Sequence, residues 1–76
     1  MQPDVRTAVE RAVNSVNSHS GETCVRVRFA DDPQEIDFIA RSAKFQDGHF
    51  EFQAGIETLA GDIDEVREIT TELIRH

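Results

Sequence analysis

The sequence predicts an α+β fold of order α-β-β-β-α: a three-stranded antiparallel meander with two amphipathic helices packed on one face. Three observations predict it. Apolar residues recur at helical spacing towards both ends of the chain. Between those ends the pattern changes to alternation. Asp47-Gly48 separates two of the alternating runs, and Asp-Gly is a favoured two-residue type I′ hairpin loop.

Residues 3–19 read as the first helix. Val5, Ala8, Val9, Ala12, Val13 and Val16 fall within a stripe about 140° wide, one buried face. Pro3 suits a first helical position, and Asp4 in the first turn complements the helix dipole. Asn14, Ser15, Asn17 and Ser18 weaken the last turns, and Gly21 offers a left-handed stop.

Residues 23–30 alternate, with Val25, Val27 and Phe29 on one face and Cys24, Arg26 and Arg28 on the other. Residues 30–35 form a polar turn containing Pro33. The second strand spans 36–46 and the third 49–54. A type I′ loop sets Phe45 opposite Phe50, Ala43 opposite Phe52, Arg41 opposite Ala54 and Ile39 opposite Ile56. The other face then pairs Gln46 with His49, Lys44 with Glu51 and Ser42 with Gln53. The turn rule and the apolar pattern agree on this register. The phase breaks near Phe38-Ile39, which implies a bulge or an outward Phe38.

Residues 55–61 read as a connector anchored by Ile56 and Leu59. Asp62, with Glu65 three residues on, resembles a capping box opening the second helix. Ile63, Val66, Ile69, Thr70, Leu73 and Ile74 form its apolar face, and Arg75 and His76 suit its C-terminal end.

This element order resembles that of double-stranded-RNA-binding domains. Such domains grip phosphate with lysines at the start of the last helix. Here that position reads Asp62-Ile63-Asp64-Glu65, the wrong sign for phosphate, so the family is not assigned.

At 76 residues the chain is expected to be one small domain, with about 60% of its surface buried on folding and modest stability. Fifteen acids against eight bases give a net charge of −7, which repels nucleic acid and anionic membranes at long range. Seven of the eight bases are arginine, and Lys44 is the sole lysine. No apolar run approaches the ~18 residues of a membrane span, and the N-terminus lacks a signal-peptide pattern. The lone Cys24 excludes an internal disulfide and fits a reducing, cytoplasmic setting. No cofactor is expected.

Several residue groups invite a chemical reading. Asp31, Asp32, Glu35 and Asp37 place four carboxylates close together, but without a calcium-loop spacing, so a solvated turn is expected. His19, His49 and His76 lack metal-ligand spacing. Cys24 needs a positioned base to act as a nucleophile, and the sequence places none beside it. Glu65, Glu68 and Glu72, with Asp64 beside them, form an acidic ridge on the expected second helix. Arg26, Arg28 and Lys44, joined by His49, gather on the open face of the expected sheet.

The favoured function is a non-enzymatic protein-interaction or regulatory module, homodimeric, using the open sheet face of Arg26, Arg28 and Lys44. Its partner would be another protein or a second copy of the chain. The alternative is an acidic nucleic-acid mimic or inhibitor acting through the ridge Glu65, Glu68 and Glu72. A small thiol- or metal-dependent enzyme ranks third.

Overall fold

Among the described residues, one helix and six strands make up the fold, the strands divided between two three-stranded antiparallel sheets. The computed structural model describes residues 4–74. Helix α1 is Val5–Ser18; the strands are β1 Thr23–Phe29, β2 Glu35–Ala40, β3 Ser42–Gln46, β4 His49–Ala54, β5 Glu57–Asp62 and β6 Val66–Leu73. The first sheet has the order β2-β1-β6 and the second β3-β4-β5.

Helix α1 forms where the apolar stripe requires it. Val9, Ala12, Val13 and Val16 are buried, and Val5 and Ala8 pack against that core. Asp4 is its N-cap, its side chain accepting the Arg6 N–H. The helix ends because His19 turns extended, without a left-handed residue at Gly21. Pro3, Arg75 and His76 lie outside the described residues.

The hairpin between β3 and β4 has the expected register: Phe45 opposes Phe50, Ala43 opposes Phe52 and Lys44 opposes Glu51. Asp47 and Gly48 both have positive φ, 54° and 79°, as a type I′ loop requires. The expected pairs Arg41–Ala54 and Ile39–Ile56 do not form. Ile39 instead opposes Cys24 in the first sheet, and Ala54 opposes Glu57.

The expected second strand is two strands. β2 turns Ile36, Phe38 and Ala40 inward, whereas β3 turns Ala43 and Phe45 inward. The inward parity changes from even to odd across Arg41-Ser42, both exposed, and there the chain passes between sheets. The phase break is therefore three residues beyond Phe38-Ile39. Phe38 packs against the core and Ile39 is the outward residue, 38% exposed.

The expected second helix is overturned. The capping signal at Asp62 produces one 3₁₀ turn, Ile63–Glu65, in which Glu65 accepts the Asp62 N–H at 3.1 Å. The chain then extends as β6 and pairs with β1. Five of the nine residues from 66 to 74 are β-branched, which favours strand over helix. The helical spacing of Val66 and Ile69 comes from a bulge. Register shifts from Arg28–Glu68 to Phe29–Val66, leaving Arg67 extra, so two residues three apart both face the core. The expected connector 55–61 is likewise mostly strand β5, entered by a two-residue Gly55-Ile56 loop. Gly55 has φ 64°, and Ile56 is fully exposed at the tip.

Helix α1 packs on β6 of one sheet and β3 of the other, so a single helix bridges both. Phe50 and Phe52 of the second sheet are fully buried with Val25 and Val27 of the first. Gly61 makes room between the sheets: a Cβ there would lie 3.0 Å from the Phe29 ring and 3.1 Å from the Phe50 ring.

Candidate functional site

The outer face of the first sheet carries the most ordered arrangement of charge. In β1, Val25 and Val27 turn into the core, which sends Cys24, Arg26 and Arg28 outward. Antiparallel register then fixes their neighbours. Arg28 lies between Glu35 of β2 and Glu68 of β6; Arg26 lies between Asp37 and Thr70; Cys24 lies between Ile39 and Glu72. The arginines form a central column with acids on both flanks.

That column is partly neutralised. Arg26 pairs with Asp37 at 3.5 Å and with Glu72 at 3.7 Å, and Arg28 with Glu35 at 3.8 Å. The Asp37 carboxylate, helped by Cys24 and Glu72, holds the Arg26 guanidinium above its ordinary arginine value. These pairs are exposed, and each stabilises the fold little. With Glu35, Asp37, Glu68 and Glu72 against two arginines, the face is net acidic.

Lys44 and His49 do not join Arg26 and Arg28. They lie on the outer face of the second sheet, in β3 and β4. His49 donates its Nδ1–H to the Asp62 carboxylate at 2.9 Å, and its Nε2 is 3.8 Å from Glu51. His19 is half-buried, and its Nε2 donates to the Ile74 carbonyl at 3.3 Å, pinning the residue after β6 to the helix terminus.

The acidic residues Glu65, Glu68 and Glu72 share no helix face. Glu65 is turned back onto Asp62, Glu72 pairs with Arg26, and Glu68 makes no ion pair among the described residues. Glu35 and Asp37 leave the Asp31-Asp32 turn for β2. Among the described residues, no three His, Cys, Asp or Glu side chains converge as a metal site. Cys24 is half-buried with Glu72 opposite it, and His49 sits in the other sheet, so among the described residues no histidine stands beside the thiol.

The β6 edge has no counterpart in the sequence reading, which makes that segment a helix. Four strands lie at sheet edges, and β6, with eight residues, is the longest; β2, β3 and β5 have five or six. Ile74 donates to the Glu22 carbonyl on the β1 side. Alternation along an antiparallel strand therefore turns the N–H and C=O groups of Ile69, Thr71 and Leu73 to the open edge. Shallow depressions separate this edge from α1. One of about 270 Å³ is lined by Ala8, Arg11, Ala12, Ile69, Thr70 and Thr71. Another, of about 380 Å³, continues along Ser15, His19 and Leu73.

The β3 edge is treated differently. The Asn17 amide donates to the Ala43 carbonyl and accepts the Ala43 N–H, each at 3.0 Å. A helix side chain thus occupies the position of a neighbouring strand.

Among the described residues no helix is long and apolar enough to cross a membrane. No family model matches the chain, and neither does any curated protein or solved structure with which it was compared.

Proposed function

We propose that this chain is a non-enzymatic protein-interaction module that takes an extended segment of its partner onto the edge of β6. One observation carries the reading: among the described residues β6 is the longest edge strand, and the backbone groups of its Ile69, Thr71 and Leu73 face the open edge beside a groove. An unpaired edge is a template for a further strand, and main-chain hydrogen bonds supply affinity in such additions. On the β3 edge, by contrast, Asn17 occupies both backbone groups of Ala43.

The test is a proline at a position whose N–H faces the edge. Thr71→Pro removes an edge donor without breaking a bond to β1, whereas Thr70→Pro breaks the ladder. Peptides selected from a displayed random library on the wild-type chain are titrated against both. The expected result is loss of binding in Thr71→Pro with its melting point nearly unchanged. Peptides that bind Thr71→Pro as well as wild type would remove the β6 edge from the reading.

A further inference from the structure

The outer face of the first sheet runs acid, base, acid from β2 through β1 to β6, and it ends on an acid. Glu68, Thr70 and Glu72 are the outward residues of the open strand, and Glu68 has no ion-pair partner among the described residues. Continuing the alternation requires basic side chains on the next strand, because cross-strand neighbours of opposite charge attract and like charges repel. On the opposite face, Ile69, Thr71 and Leu73 border the groove beside α1, and Leu73 is 45% exposed. The alternate side chains of an added strand would enter that groove and cover Leu73.

We infer that the occupant is an extended basic–apolar segment of another protein, with Lys or Arg opposite Glu68 and Glu72 and apolar residues between. Resting on the edge reading above, this specifies the partner as basic, apolar, any, apolar, basic. The pattern is the same read in either chain direction, so it holds for parallel or antiparallel addition. A second copy of the chain is the poorer occupant. Pairing β6 with itself about Thr70 sets Glu68 against Glu72, and pairing about Ile69 or Thr71 sets an acid against Thr70. None of these arrangements puts a base opposite either glutamate, and each brings together two chains of charge −7.

The probe is a synthetic peptide with lysine at its first and fifth places and valine at its second and fourth, followed by fluorescence anisotropy at low salt. A matched peptide carries glutamate in place of lysine. The expected result is that the basic peptide binds the wild type at least tenfold more tightly than the acidic one. Glu68→Lys and Glu72→Lys should each weaken it by roughly three- to tenfold, and the double variant should prefer the acidic peptide. Thr71→Pro should abolish binding, and Leu73→Pro, whose N–H faces the same edge, substitutes if Thr71→Pro fails to fold. Equal binding of both peptides, still lost in the proline variant, overturns the charge inference and leaves the edge reading standing. Binding that survives the proline variants overturns both. A wild-type dimer in analytical ultracentrifugation that Thr71→Pro dissociates makes a second copy the occupant and also overturns the inference.

Discussion

Asn17 saturates Ala43: its side-chain amide meets both backbone hydrogen-bonding groups of that residue, each at 3.0 Å. A residue chosen near a helix end for its weak helical preference thereby fixes the helix to an edge strand. Asn17→Ala removes both bonds and is expected to cost about 1–2 kcal/mol. Asn17→Asp keeps the acceptor but loses the donor, so it should fall between alanine and wild type or below both if the new charge is repelled. Urea denaturation decides the matter, and an alanine variant as stable as wild type would show that the contact contributes nothing.

Gly61 stands where the Phe29 and Phe50 rings converge. A methyl group at that position would crowd two aromatic rings, one of them fully buried. Gly61→Ala should destabilise by about 1–3 kcal/mol, as overpacking does. In Phe29→Leu the same substitution should cost less. Additive effects in this double-mutant cycle would mean that the Phe29 ring is not what Gly61 accommodates.

The Thr23 hydroxyl is fully buried and has no hydrogen-bond partner among the described residues. Valine has nearly the same shape and no unmet polar group. Thr23→Val is therefore expected to raise stability by about 1 kcal/mol, visible as a higher urea midpoint with unchanged slope. A lower midpoint would reveal a partner for the hydroxyl.

Arg26 is held above its ordinary value by Asp37 first and by Cys24 and Glu72 after it. A raised folded value means a contribution complete below the unfolded arginine value and lost only as pH rises through the folded one. The guanidinium is charged in both states between about pH 5 and 9, so Arg26→Gln should remove no pH-dependent contribution of Arg26 itself across that range. Thermal melts across that range test it, and a slope altered beyond what the neighbouring acids produce would contradict the assignment.

The first helix and the type I′ hairpin were legible because each is decided locally. Six apolar residues on one stripe make α1, and Asp47-Gly48 sets the register of Phe45 against Phe50. The C-terminal strand was not, because its bulge at Arg67 places Val66 and Ile69 three apart on one face, the spacing of a helix. The competing signals were the β-branched run of Val66, Ile69, Thr70, Thr71 and Ile74 and the Gly55-Ile56 loop. The outward arginines of β1 were likewise readable from alternation. The acids beside them were not, since Asp37 and Glu72 reach Arg26 only through pairing with strands on both sides.

Strand β1 gains one neighbour at 35–40 and the other only at 66–73. A ribosome must add residues 66–73 before the central strand of the first sheet is flanked on both sides. Until then β1 has a strand on one side only, and α1 lacks one of the two strands against which it chiefly packs. The topology thus postpones closure of the core until β6 is available to pair with β1. Contacts this distant along the chain favour slow folding and leave the nascent chain exposed to holdase chaperones.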